Sequence, residues 1–371
     1  MGTDRDPPYT AESIQVLEGL EAVRKRPGMF LGNVADGSGL HAAFQELLDN
    51  AVNEHRAGFG AHLRVTLHAD GSASVEDEGR GIPVETLPGG VTAAEVAMTR
   101  LHGVGVSVVN AVSEVLLLEI RREGKLWRQE YRQGTPQGPL APVEALPERG
   151  PTGTSIRFWP DPAIFSGILR LDPVQIRRRL QELSFLYPAL TIELCSPEGH
   201  ETFHTPGGLA SLVASCCGAR PVLLPAVASF SVEDRTEQGQ PLRAEAALQW
   251  VAQGEGERIG FLNGVRFVGG TPFSGACAGV LQAVEGVVRS RRLMPERRSR
   301  RSLSASLSTR LVLALRVEHP APLFGSRTRE VLLNKDIGQL LRRELAARLR
   351  VFLEEHPDAV CRLVSAELAR G

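Results

Sequence analysis

Apolar positions along the chain recur first at helical and then at strand spacing. Leu40, Phe44, Leu47, Leu48 and Ala51 repeat every three or four residues, which predicts a helix from Gly39 or Leu40 to Ala57 with Gly58 as its C-cap. Ahead of it, Ile14, Val16, Leu17, Leu20 and Val23 predict a short helix that ends near Arg26, because Pro27-Gly28 breaks the run; residues up to about Ala11 read as an extended arm. Residues 62–68 and 72–77 alternate as two strands joined at Ala69-Asp70-Gly71, a hairpin signal. A second hairpin pairs Val115 to Ile120 with Leu126 to Tyr131 around Glu123-Gly124-Lys125, and a further strand, Thr154 to Trp159, stops at Pro160. Helices interleaved with hairpins predict an α+β layer, with helices over one face of a mostly antiparallel sheet. Between Phe203 and Pro225 the pattern weakens into Gly, Pro, Ser and Cys, and a domain boundary is expected there, dividing 1–213 from 214–371. Beyond it, strands over 244–251 and 311–317 precede a helix from Ile337 to Arg370 broken at Pro357, a second α/β unit.

Composition narrows the class without naming a function. Hydrophobic residues at 42% and charged residues at 23% exclude a disordered, collagen-like or coiled-coil chain. Lys+Arg 42 against Asp+Glu 43 leaves no global basic field. One dense basic run remains, from Arg289 to Arg301, open between a solvated helix face or loop and a contact to a phosphate backbone. Five cysteines without C-x-x-C spacing read as reduced thiols rather than a zinc site, and no apolar stretch is long enough to span a bilayer, so a cytoplasmic protein is expected.

Three constellations carry chemistry. Glu46 and Asn50 stand four apart on one helical face, a relation in which a carboxylate can act as general base toward water while an amide oxygen faces magnesium; alone, the pair reads rather as an ordinary polar face. Asp77-Glu78-Gly79-Arg80-Gly81-Ile82-Pro83 sets an acid before two glycines, so that a carboxylate can take a hydrogen bond from an exocyclic amine while bare backbone admits a flat base; alone, it is also a turn. In Leu101-His102-Gly103-Val104-Gly105-Val106-Ser107-Val108-Val109-Asn110-Ala111 the glycines precede a helix whose free N–H groups suit phosphate oxygens, or else they serve a helix–helix turn.

In this order the motifs resemble the ATPase part of DNA gyrase B and of its topoisomerase IV counterpart, in the family shared with Hsp90 chaperones, MutL and histidine kinases. Val23-Arg24-Lys25-Arg26-Pro27-Gly28-Met29-Phe30-Leu31-Gly32 and Gly153-Thr154-Ser155-Ile156-Arg157-Phe158-Trp159-Pro160-Asp161 mark the topoisomerase branch. The resemblance implies a Bergerat-type ATP-binding sandwich followed by a ribosomal-protein-S5-like transducer domain. It makes Glu46 the base that activates water and Asn50 the magnesium ligand. Asp77 would recognise the adenine amine, with Gly81, Pro83 and Thr154 completing that pocket. The N–H groups of His102, Gly103, Val104 and Gly105 would hold phosphates. Arg80 would pack over the base and pair with Glu54, and Arg128 would line the mouth. Tyr9 would lie in an arm that crosses to a second copy of the chain, implying ATP-driven homodimers. Phe261-Leu262-Asn263 and Val268-Gly269-Gly270-Thr271 match the transducer, and Arg329 of Arg327-Thr328-Arg329 stands where the family has a lysine reaching the γ-phosphate. A gyrase A type partner or its topoisomerase IV equivalent, DNA contact through that larger assembly and coumarin-like inhibition are also implied.

Two larger departures and one smaller one qualify this. Relatives place a lid of roughly twenty residues before the Leu-His-Gly-Val-Gly motif, the length class in which loops are functional. Here Met98-Thr99-Arg100 runs straight into Leu101, leaving Arg100 as a partial replacement for lost charge. The likeness also ends with the transducer, so no toprim module and no DNA cleavage are expected of this chain alone. Asn53 stands where relatives usually carry Asp. A slow ATPase clamp is the leading expectation; a non-hydrolysing paralogue that regulates a gyrase through protein interaction is the alternative.

Overall fold

A computed structural model describes residues 19–101, 105–293, 307–325 and 330–368. The chain divides into two compact units, the first comprising Met1–Gln181 and Ala189–His204, the second Glu182–Pro188 and Thr205–Gly371.

In the first unit, helices α1 (Gly19–Lys25), α2 (Gly28–Leu31) and α3 (Ser38–Arg56) precede strands β1 (His62–Leu67) and β2 (Ala73–Asp77). Helices α4 (Ala93–Thr99) and α5 (Val106–Ala111) lead to β3 (Ser113–Arg122), β4 (Lys125–Arg132), β5 (Thr135–Pro136), β6 (Ala141–Ala145) and β7 (Gly153–Pro160); α6 (Pro173–Leu186), β8 (Thr191–Ser196) and β9 (Gly199–Phe203) follow. The strands form one sheet in the order β5-β4-β3-β7-β2-β1-β8-β9, with β6 on β4. All pairings are antiparallel except β1 with β8.

Strand alternation separates the two faces of this sheet. Leu63, Val65, Val75, Leu116, Leu118, Ile120, Ile156 and Phe158 are buried, beside the buried stripe Leu40, Phe44, Leu47, Leu48 and Ala51 of α3. The adjacent register carries Arg128, Glu119, Ser155, Glu76, Arg64 and Glu193 side by side across five ladders. Opposite charges meet along that row, Arg128 with Glu119 at 2.6 Å and Arg64 with Glu193 at 2.9 Å, so this face is stable against water.

In the second unit, α7 (Gly208–Cys217) precedes β10 (Ala228–Arg235), β11 (Pro241–Trp250), β12 (Arg258–Leu262), β13 (Val265–Phe267) and β14 (Gly269–Gly270). Then come α8 (Thr271–Ser290), β15 (Leu311–Glu318), β16 (Val331–Leu332), α9 (Lys335–Glu355) and α10 (Pro357–Leu368). The main sheet runs β10-β11-β15-β12-β13, and β14 pairs with β16. The unbroken run Leu311-Val312-Leu313-Ala314-Leu315 reflects a central strand with both faces buried. Leu313 and Leu315 share a core with Val280 and Val284 of α8 and Leu345 and Leu349 of α9. Helices α8 and α9 approach closely because a Cβ at Gly279 would stand 2.6 Å from the Arg342 carbonyl oxygen.

The structure corrects the sequence reading at several places. Residues 208–217, expected as part of an irregular boundary, form α7, because Leu209, Leu212 and Val213 give it a buried stripe between the flanking glycines. Strand β7 includes Pro160, while the break expected at Pro357 is present, with two helices that meet at His356. The basic run begins on the last turn of α8; its residues from 294 to 301 lie outside the described residues.

Candidate functional site

Asp77 ends β2 as a buried carboxylate, 5% exposed. Its Oδ1 accepts from the Gly79 N–H at 2.8 Å and the Thr154 N–H at 3.2 Å, while Oδ2 accepts no hydrogen bond among the described residues. Burial raises its pKa to about 6, against the two N–H groups that favour the charge. The Thr154 hydroxyl accepts the Ile82 N–H at 3.1 Å and keeps its own proton to donate.

Backbone room around this carboxylate is set by glycines. A Cβ at Gly79 would lie 2.7 Å from the Glu54 side chain and 2.8 Å from Asp77 Oδ1. Gly81, at φ +76°, needs left-handed freedom, and a Cβ there would meet the Arg121 carbonyl at 2.9 Å. A Cβ at Gly153 would overlap the Asp77 carbonyl oxygen. The expected pairing of Arg80 with Glu54 is present as a fork: Nε and NH2 of Arg80 reach the two carboxylate oxygens at 3.1 and 2.9 Å, and the Arg80 N–H adds a third bond at 3.0 Å. The same guanidinium lies 4.4 Å from the Phe59 ring centroid.

Glu46 and Asn50 share α3, both half-buried, and neither side chain makes a hydrogen bond among the described residues. Burial raises the Glu46 pKa to about 7, with the neighbouring Asp49 carboxylate adding repulsion. Asp49 is tied to Gln45 at 2.5 Å, and Arg179 of α6 donates to Gln45 at 2.8 Å. An uncommitted carboxylate that titrates near neutrality has the properties of a general base.

The other expected residues are placed as follows. Gly105 caps α5 with extended backbone, six residues after α4 ends at Thr99. Pro83 is exposed, one residue beyond the Ile82–Thr154 bond. Arg128 is not brought to Asp77: its row lies on the other face of the sheet from Thr154 and Ile120, and both Nε and NH2 go to Glu119. Tyr9, His102, Gly103, Val104 and Arg329 lie outside the described residues.

Sequence reasoning missed two supports. Arg24 donates to Asp161 at 2.6 Å and to the Ala111 carbonyl at 2.6 Å, so the half-buried arginine and the buried aspartate of two distant motifs form one ion pair. Asn110, fully buried, donates to the Met98 carbonyl at 2.9 Å and the Gly134 carbonyl at 3.3 Å, fixing the end of α4. A polar residue inside an apolar helical stretch was the available signal for Asn110; for the pair there was none, since 137 residues separate its members.

Residues 35–164 match the family described as histidine kinase-, DNA gyrase B-, and HSP90-like ATPase, and residues 208–370 match DNA gyrase B. The mitochondrial DNA gyrase B of Arabidopsis thaliana is 34% identical over 391 residues, covering 97% of this chain and 52% of the relative. DNA gyrase B of Thermotoga maritima is 34% identical, covering 96% of this chain and 59% of the relative. The chain thus spans about half the length of the curated relatives it matches. The Arabidopsis alignment is longer than the chain itself, 391 positions against 371, so that relative carries at least 20 residues lacking here. Among solved structures, the 43K ATPase domain of Thermus thermophilus gyrase B in complex with an aminocoumarin superposes with a TM-score of 0.84 at 33% identity, covering 95% of both chains. The topoisomerase IV ATP-binding domain of Francisella tularensis gives 0.78 at 27%, covering 95% of this chain and 96% of that one.

Proposed function

Because this chain belongs to the DNA gyrase B family, we propose that it binds ATP with magnesium and hydrolyses it slowly, as the nucleotide-driven clamp of a type II topoisomerase. The observation that carries this reading is the buried Asp77 carboxylate, with Oδ2 uncommitted in a cradle whose glycines admit no Cβ. Such an acceptor beside the Thr154 hydroxyl suits the amino edge of adenine, and bare backbone at Gly79 and Gly81 suits the flat ring.

Among the described residues no group of three or more His, Cys, Asp or Glu could hold a metal. Asn50 suits magnesium all the same, since that ion keeps several waters and takes few protein oxygens beside substrate phosphates. When bound, magnesium would offset phosphate charge. Glu46 would take a proton from the attacking water, a task for which a pKa near 7 is well matched. The N–H groups from His102 to Gly105 would hold phosphates, and Arg329 would contribute positive charge. The arm with Tyr9 would join two copies of the chain, and a gyrase A type partner or its topoisomerase IV equivalent would supply DNA cleavage. The Arg289–Arg301 segment would touch DNA, with binding that weakens steeply as salt rises.

Steady-state ATP turnover with magnesium tests this, comparing the native chain with Glu46→Ala at several protein concentrations. Turnover that rises faster than linearly with protein and vanishes in Glu46→Ala is expected. ATP binding without turnover would overturn the hydrolytic part and leave a nucleotide-binding paralogue.

A further inference from the structure

We propose that Arg121, reaching Asp77 from β3, is a positioning residue that holds the adenine-reading carboxylate in place and ionised. This rests on the reading of Asp77 given above.

The geometry begins where regular pairing stops. The β2–β7 ladder ends at Glu76 opposite Ser155, one residue short of Asp77. Beyond that point the Thr154 N–H turns to the Asp77 side chain instead of its backbone. The Asp77 carbonyl is met by Arg121 NH2 at 3.1 Å. NH1 of the same guanidinium binds Glu76 at 2.6 Å. One cation thereby closes the open end of the ladder and neutralises the acid next to Asp77. Gly153 makes this possible, since a Cβ there would stand 3.1 Å from Arg121 NH2 and overlap the Asp77 carbonyl oxygen.

The arrangement carries a local cost. Arg121 Nε is buried and has no hydrogen-bond partner among the described residues. A buried donor left unsatisfied is unfavourable, so the other two contacts hold the side chain where an ordinary surface arginine would swing out to water. The charges around Asp77 explain what those contacts do. Glu54 of α3 repels the Asp77 carboxylate, although Arg80 is forked onto Glu54; Glu76 is the neighbour on its own strand; Arg121 is the cation that opposes burial. Without Arg121, Glu76 loses its hydrogen-bonded cation and, among the described residues, keeps only its cross-strand neighbour Arg64, which is bonded to Glu193; the Asp77 carbonyl loses a donor, and the protonated acid is favoured. An ionised carboxylate accepts from a 6-amino purine, whereas a protonated one donates to a 6-oxo purine. Arg121 therefore bears on the preference for adenine over hypoxanthine.

The test measures binding of ATP and of inosine triphosphate by calorimetry from pH 5.5 to 8.5, for the native chain, Arg121→Met and Arg121→Lys, each first checked for a native melting transition. Comparing proteins at each pH cancels titration of the nucleotides themselves. A rise of about one unit in the Asp77 midpoint weakens ATP about twofold at pH 7 and about fivefold at pH 6, and narrows the ATP to inosine triphosphate ratio. Arg121→Lys, which keeps the charge, should fall between the other two, and it carries the test if Arg121→Met does not fold. Unchanged ATP affinity, midpoint and base preference in the variants would overturn the proposal. Failure of the native chain to bind ATP would instead overturn the reading of the site itself.

Discussion

Replacing Glu46 by Gln should abolish turnover and, at alkaline pH, make the first unit more stable. In the unfolded chain the carboxyl titrates at its ordinary value of 4.5, and in the fold at about 7. A raised carboxyl pKa means that folding favours the protonated form. Below pH 4.5 both states hold the proton and there is no penalty. As pH rises through 7 the folded protein must also ionise, and the full cost appears. At about 1.4 kcal/mol per unit, the shift sets an upper bound of about 3.4 kcal/mol, which water around a half-buried group reduces to about 1–2 kcal/mol. Glu46→Gln should therefore match the native chain near pH 4.5 and exceed it by about 1–2 kcal/mol at pH 8.5. Urea unfolding reads this cleanly in a Trp250→Phe background, because the two remaining tryptophans, Trp127 and Trp159, both lie in the first unit. Stability curves that run parallel across the pH range would refute the claim that the Glu46 carboxylate is held against its solvation preference. Such a carboxylate would not be poised as a base at neutral pH.

Other outcomes follow from particular contacts. Gly153→Ala places a methyl against the Asp77 carbonyl at φ +142°, so thermal melts should show the first unit destabilised by at least about 3 kcal/mol. Arg24→Ala leaves Asp161, 2% exposed, with only the Ala163 N–H and Gln133 as donors among the described residues, and should cost about 2 kcal/mol in urea unfolding; a cost under about 0.5 kcal/mol would mean that the pair is incidental. Asp77→Asn replaces a charge-assisted bond by a neutral one and should weaken ATP about tenfold by calorimetry while sparing inosine triphosphate. The turnover parameter kcat/KM should climb as pH rises toward 7 and level off above it, as Glu46 loses its proton; a flat profile from pH 5.5 to 8.5 would exclude Glu46 as the base.

What could be read from the sequence was what short-range periodicity encodes. The stripe on α3 and the alternation of β1 to β4 are local, and the structure places those elements within a residue or two of expectation. Helix α7 was hidden because its glycine caps and paired cysteines resemble loop chemistry, while the signal that mattered, Leu209 with Leu212 and Val213, spans barely one turn. At the site, residue types were legible and their partners were not. Asp77 followed by glycines announces a carboxylate against bare backbone, but nothing local says that its second oxygen is left open, or that an arginine 44 residues later holds its carbonyl. Arg128 shows the same limit from the other side. Its type suits a pocket mouth, yet which face of β4 it occupies depends on ladder register, and register is fixed by the buried partners Ile120 and Thr154 rather than by Arg128 itself. Arg121 and Arg128 both point away from the buried face. Of the two, Arg121 is the one bonded to Asp77, because it lies where β2 ends and a backbone carbonyl is left to be satisfied.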